Sequence, residues 1–422
     1  MRKAALLGLF LAGCTATAQP VPQGESPTRW LGIEYATAER WQLPVANADW
    51  AADAPFDAEG SACPQAGQSV MVEDCLFLNV FAPEGAKDLP VLVSIHGGGF
   101  IAGAGGTGAE SFTRDGLVVV TFNYRLGQLG FHDWPGWSES DPRNFGQADM
   151  VAALEWVQDN IRTFGGDPDA VTIMGHSAGG MGVQLMLVDS RADGLFHRAW
   201  SHAGYGAWPF PKAYNPMPEE RARIRYRNLR VDATPRELVG ELTAFHLPYI
   251  NAPHLREQPV DLMEPGVPFV AGANSMDGAG TLQGAGFTPE GFLARVDSPA
   301  LRELYAADFA VSERQAAERV FGDLRYLASS AVAADAAGGW LFLFDAPGEG
   351  EPGSYHGAQY GSVFSGEATP FRDAVVRFAR TGDPGWEQSR LAVFTPALTD
   401  TDRTRLAARL AALAEARKRI AP

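Results

Sequence analysis

The chain has 422 residues, 46% of them hydrophobic and 20% charged, and a formal charge of −16. This composition suits a globular protein with one large core or two modest ones, and it argues against disorder. The acidity argues against a nucleic-acid partner, because neutralising phosphates takes clustered Lys and Arg, and no unbroken apolar run is long enough to span a membrane.

Residues 1–18 read as a targeting segment, with Arg2 and Lys3 as its basic start and Ala4 to Ala12 as a short apolar stretch. Leu11-Ala12-Gly13-Cys14 has the form of a bacterial lipobox, with Cys14 as the lipidated first residue of the mature protein. Ala16-Thr17-Ala18 offers an ordinary cleavage site before Gln19. The lipobox is favoured because the apolar stretch ends directly on it. A lipid on Cys14 would be the chain's one link to a membrane and would hold it in the cell envelope; ordinary cleavage would leave it periplasmic or secreted. Either cut leaves Cys63 and Cys75 to pair in an exported protein, and a disulfide is expected. A metal site is disfavoured because no histidine lies near them in sequence.

From Leu89 onward, short apolar runs alternate with helical patterns, the signature of a mostly parallel central sheet with helices on both faces. Leu89 to Ile95 is the first clear strand, and His96-Gly97-Gly98-Gly99-Phe100 follows it. Consecutive glycines let backbone N–H groups aim at one spot, as stabilising an oxyanion requires. A phosphate-binding loop is the weaker reading, since neither the P-loop Lys-Ser/Thr nor the G-x-G-x-x-G spacing is present. Leu117 to Phe122 is the next strand. Met150, Leu154, Val157 and Ile161 then predict an amphipathic helix over Gln147 to Arg162, with one face on the sheet.

The strand Val171 to Met174 runs into Gly175-His176-Ser177-Ala178-Gly179-Gly180, which has the form of a nucleophile elbow. Residues 205–265 are proline-rich and carry an Arg-rich run from Arg221 to Arg230. They read as an inserted helical and loop region over the edge where the strands end, with the Arg run as a solvated helix face. Val267 to Ala271 is a strand with Asp277 shortly after it, residues 281–330 read as a second helical insertion, and Trp340 to Phe344 is a strand with His356 in the loop beyond. Helices are expected at Phe371 to Arg380 and Thr401 to Ile420, the second capped by Asp400 or Thr401. The main folded domain then spans 26–400, and 401–422 forms a C-terminal helix.

A serine nucleophile needs a base and an acid to orient it. Past residue 205 the histidines are His246, His254 and His356; the first two fall in the proline-rich insertion, while His356 follows a strand. Asp277 follows the strand Val267 to Ala271, whereas Asp261 and Glu264 precede it, at the wrong end. The expected triad is therefore Ser177, Asp277 and His356, with an oxyanion hole made by the N–H groups of Gly98, Gly99 and Ala178.

With these residues in place, the chain resembles the type-B carboxylesterase family of α/β-hydrolases, which includes cholinesterases and bacterial para-nitrobenzyl esterases. The resemblance runs from about Trp30 to Trp386. Its carriers are Glu73-Asp74-Cys75-Leu76-Phe77-Leu78-Asn79-Val80, the His96 to Phe100 loop, Asn123-Tyr124-Arg125-Leu126-Gly127, Phe164-Gly165-Gly166-Asp167-Pro168, the elbow, the stretch Gly272 to Gly278, and His356-Gly357. It implies an α/β-hydrolase fold with reduced helical insertions over the active-site edge. It also implies a serine carboxylesterase that takes a small-molecule ester through an acyl-enzyme, with no cofactor and no metal. Cys63-Pro64-Gln65 resembles the family's first cysteine motif and supports the Cys63–Cys75 bridge.

This chain departs from the family pattern at His176, where the family usually has Glu, and at Asp277, where it usually has Glu as the acid. His176 is expected to turn away from Ser177 and not to act as the base. The short intervals from Ser177 to Asp277 and on to His356 imply a more open pocket. Phe100, Tyr205, Trp208 and Phe210 are as compatible with core as with a pocket lining. Two other readings remain, an amidase or peptidase on the same triad and a non-catalytic esterase-like binding protein. The sequence sets no oligomeric state.

Overall fold

The computed structural model describes residues 27–48, 50, 55–106, 108–131, 143–209, 232–240, 246–250, 254–395, 398–402 and 404–418. The targeting segment with Cys14, Phe210 and the Arg221 to Arg230 run lie outside the described residues.

Among the described residues, twelve strands occur in chain order: β1 (Thr28–Glu34), β2 (Ala36–Thr37), β3 (Val45–Ala46), β4 (Phe77–Ala82), β5 (Leu89–Ile95), β6 (Val118–Phe122), β7 (Gly166–His176), β8 (Arg198–His202), β9 (Phe269–Asn274), β10 (Trp340–Phe344), β11 (Arg390–Phe394) and β12 (Leu398–Asp402). Ten of them make one sheet in the order β1-β4-β6-β5-β7-β8-β9-β10-β11-β12, while β2 and β3 pair separately. From β6 to β11 all neighbours are parallel; β1, β4 and β12 add antiparallel edges. The expected mostly parallel sheet is present.

Both faces of the sheet are covered, which is why the central strands are apolar almost without a break. Alternate residues serve different cores. Val93, Ile95, Val120 and Ile173 pack with Met150, Leu154, Met181 and Leu185 from the helices Phe145–Asn160 and Ala178–Met186. Leu92, Val119, Met174, Trp200 and Phe342 pack on the opposite face with Phe371, Val375 and Phe378 of the helix Pro370–Thr381.

Three elements differ from expectation. The predicted amphipathic helix covers Phe145–Asn160, and Ile161–Phe164 continues it as a 3-10 turn. It is buried on nearly every side, because Trp50 lies over Trp156 and Phe164 and shields its outer face. The C-terminal helix covers Thr404–Arg417 and starts later than predicted: Asp400 and Thr401, the expected caps, sit in β12, paired with Ala392 and Leu391 of β11. The stretch read above as a second insertion carries a series of helices from Thr281 through Leu327, and the helical structure continues to Ala336.

Cys63 and Cys75 form a disulfide with their Cα atoms 4.9 Å apart, and both are buried. Closing a loop of this length removes denatured-state entropy worth about 3 kcal/mol. Replacing both cysteines with serine is expected to lower stability by about 2–3 kcal/mol. Urea unfolding reads this directly, and an unshifted midpoint would contradict it.

Candidate active site

The site forms where β5, β7, β8, β9 and β10 end on the same edge of the sheet. β7 turns into the helix Ala178–Met186 at Ser177, which holds φ 59° and ψ −122°. A non-glycine residue in that region is strained, and such strain persists only where the surroundings impose it. The turn requires bare backbone on both sides. A Cβ on Gly175 would lie 2.3 Å from the carbonyl group of Gly179, and a Cβ on Gly179 would lie 2.0 Å from the Ile95 carbonyl oxygen. Ser177 is further tied down by its N–H, which donates to the His202 carbonyl at 2.9 Å.

The glycine loop after β5 closes against this elbow. Gly98 has φ 111°, and a Cβ there would meet the Ala102 carbonyl oxygen at 2.1 Å. A Cβ on Gly97 would meet the His176 carbonyl oxygen at 2.7 Å and the Ser177 Cβ at 3.4 Å, so the loop and the elbow touch. Among the described residues, no acceptor takes the N–H of Gly98, Gly99 or Ala178. His246, from the proline-rich stretch, donates its backbone N–H to the Gly99 carbonyl at 3.0 Å.

Asp277 and His356 are brought together from loops after β9 and β10. His356 Nδ1 lies 2.8 Å from Asp277 Oδ1, while Asp277 Oδ2 accepts the Asn274 N–H at 2.6 Å. Burial pushes the Asp277 carboxyl up, and the His356 ring and the Asn274 N–H pull it back. A carboxylate only accepts, so Nδ1 carries the proton and Nε2 keeps its lone pair. Asp261 and Glu264 are exposed ahead of β9, and His254 lies by the Asp189–Arg191 pair. Phe100 is core, packed on Tyr124 and Phe131; Tyr205 and Trp208 are also buried.

A feature missed by the sequence reading is a cluster of uncharged histidines. The His176 ring centre lies 4.4 Å from that of His356 and 5.2 Å from that of His202, and its Nδ1 is 3.1 Å from the Tyr360 hydroxyl. Asn274 uses its Nδ2 on the Tyr355 carbonyl and Gln359, so its Oδ1 accepts from His202 Nε2 at 2.7 Å. Burial pushes His202 down to about 3, His96 to about 4 and His176 well below the usual histidine value. The three line a cavity of about 410 Å³ together with Trp200, Tyr360 and Phe371. One ligating atom each from His176, Asp277 and His356 lies within 4.8 Å of the others, the set nearest to a metal site among the described residues. Two of its three members are already bonded to each other.

Residues 17–284 match the carboxylesterase family. The chain belongs to that family. The fumonisin B1 esterase of Sphingopyxis macrogoltabida is 30% identical over 392 residues, covering 80% of this chain and 71% of that protein. The para-nitrobenzyl esterase of Bacillus subtilis is 41% identical over 194 residues, 42% of this chain and 40% of that protein. The bile salt-activated lipase of Rattus norvegicus is 33% identical over 303 residues, 60% and 48%. These last two matches span half or less of the relative's length. A solved structure of a PNB esterase superposes with a TM-score of 0.74 at 27% identity, covering 92% of this chain and 96% of that one. The expected α/β-hydrolase fold of a type-B carboxylesterase is therefore present in this carboxylesterase-family chain.

The buried histidines set an acid limit on its stability. Each is neutral when folded and becomes protonated when unfolded below about pH 6.5, so the unfolded state binds more protons. Their contribution is full above that pH and is lost as the pH falls toward about 4, at up to about 1.4 kcal/mol per pH unit for each group. Asp277, shifted up, works in the opposite direction lower in the acid range. Urea midpoints should fall steadily from about pH 7 to about pH 5, ahead of ordinary carboxylate titration; a flat profile would contradict the burial argument.

Proposed function

We propose that this protein hydrolyses carboxylic esters with Ser177 as nucleophile, His356 as general base and then acid, and Asp277 as the group that orients His356. The observation that carries the reading is the Asp277–His356 hydrogen bond, with the His356 ring centre 4.4 Å from that of His176, the residue before a serine held at φ 59°. With Nδ1 engaged, Nε2 takes the proton as the Ser177 oxygen attacks the ester carbonyl carbon. The carbonyl oxygen becomes an anion, for which the three open N–H groups of Gly98, Gly99 and Ala178 serve as donors; one such donor is typically worth about a hundredfold or more in rate. Collapse expels the alcohol, protonated by the imidazolium, and water then attacks the acyl-enzyme by the same route.

The relatives named above are all esterases or lipases, which supports ester substrates over amides. Lipidation at Cys14 belongs to the same proposal and places the enzyme in the cell envelope. Cys14→Ala should release it from the membrane fraction; unchanged fractionation would argue against the lipid.

Ser177→Ala is expected to lower turnover of short-chain para-nitrophenyl esters by at least about 10⁴-fold with unchanged unfolding, and Asp277→Asn by about 10⁴-fold. Wild-type turnover of a matched anilide at a comparable rate would favour an amidase. Absence of any ester turnover would overturn the proposal.

A further inference from the structure

Asp277 and His356 sit on two separate loops, and their hydrogen bond exists only while those loops are held in register. The second loop has little regular structure of its own. Between β10, which ends at Phe344, and the short helix Tyr360–Phe364, the chain runs through turns, bends and the isolated bridge of Tyr355 to Met276, with glycines at 348, 350 and 353. Loops of this kind are ordinarily among the more mobile parts of a protein, so the His356 ring has to be fixed from outside.

The helix Glu313–Gly322 lies against both loops. Its backbone packs directly on the acid's loop: a Cβ on Gly278, the residue after Asp277, would overlap the Glu318 carbonyl oxygen, and one on Gly322 would overlap the Gly278 nitrogen. From this helix Arg319 reaches two backbone carbonyls at once. Nη1 donates to Ser275, two residues before Asp277, and Nη2 donates to Pro352 at 2.6 Å, four residues before His356. Behind the fork, Nε faces Asp308 at 3.5 Å, and Asp308 also accepts from Gln315 Nε2 at 3.0 Å.

The contacts on either side follow the same seam. Ser275 donates its hydroxyl to Asp345 and accepts the Ser354 N–H at 2.9 Å, and the Met276 N–H donates to the Ser354 carbonyl at 2.9 Å. A Cβ on Gly353 would stand 2.7 Å from Ser275 Oγ and 3.1 Å from Arg319 Nη1, so the second loop approaches the fork as bare backbone. A guanidinium suits this place because its donors are fixed in one plane, whereas an ammonium is a point charge on a flexible stem.

The geometry points to Arg319 as a positioning residue for the proposed reaction: by bonding both loops it sets the Asp277–His356 alignment, and with it the rate of proton transfer. This rests on the hydrolytic reading above and extends it to a side chain outside the triad.

Arg319→Met keeps the apolar stem and deletes the fork. On para-nitrophenyl butyrate it should lower kcat by about tenfold to a hundredfold, the order of loss that a misplacement of about 1 Å causes, with KM within about twofold of wild type. The low-field proton resonance of His356 Nδ1–H, a direct report on the bond to Asp277, should broaden or disappear. Arg319→Gln, with a donor for one carbonyl, should fall between the two; it decides the matter by the same measurements if Arg319→Met does not fold. Added guanidinium ion should restore part of the kcat lost in Arg319→Ala. Arg314→Met, on the same helix but exposed and paired with Glu318, should leave kcat unchanged.

A kcat unchanged in Arg319→Met, a loss confined to KM, or an equal loss in Arg314→Met would overturn the proposal. Failure of the hydrolytic reading looks different, since wild type itself would then turn over no ester. The proton resonance decides in that case: its loss in Arg319→Met supports the positioning role, and its persistence there overturns it.

Discussion

The architecture of the site depends on one close approach between backbones. At the end of β7 the chain reverses into a helix within van der Waals reach of the end of β5. No side chain fits between Gly179 and the Ile95 carbonyl, or between Gly175 and Gly179. That contact holds Ser177 at a φ its own side chain disfavours and sets the glycine loop against it. It also aligns the loops after β9 and β10 indirectly, because the parallel register β7-β8-β9-β10 carries the position of the elbow across the sheet to Asp277 and His356.

Around this frame the interior is polarised in an unusual way. The elbow is flanked by imidazoles that burial keeps neutral, while the buried guanidinium of Arg325 sits among aromatic rings. Neutral histidines can share a low-dielectric pocket at little mutual cost, where a carboxylate at position 176 would have brought a second negative charge beside Asp277. With His176 neutral, the paired carboxylate of Asp277 is the acid hydrogen-bonded to His356. The fixed positive charge lies a ring away at Arg325, and Tyr326 stands between the two regions.

Much of this was legible along the chain. β5 and β10 are where their apolar runs end, because a strand covered on both faces has no room for polar residues. β8 was not anticipated: Arg198, Ser201 and His202 break its apolar run, and they are tolerated because Ser201 bonds the Gly180 carbonyl and His202 bonds Asn274. β1, β11 and β12 lie toward the sheet's edges, where one-sided burial weakens the pattern. The helix Phe145–Asn160 looked amphipathic because its outer cover, Trp50, comes from a segment distant in sequence.

The division follows the range of the forces involved. Local steric and hydrogen-bonding demands are written in short segments, so the elbow, the glycine loop and the order Ser177, Asp277, His356 can be read from sequence alone. Contacts between distant segments cannot. That His176 leans on His356, that Asn274 links Asp277 to His202, and that Arg319 joins the loops of Asp277 and His356 were decided only by tertiary packing. A charge's energy depends on which groups surround it in space, and sequence spacing does not record that.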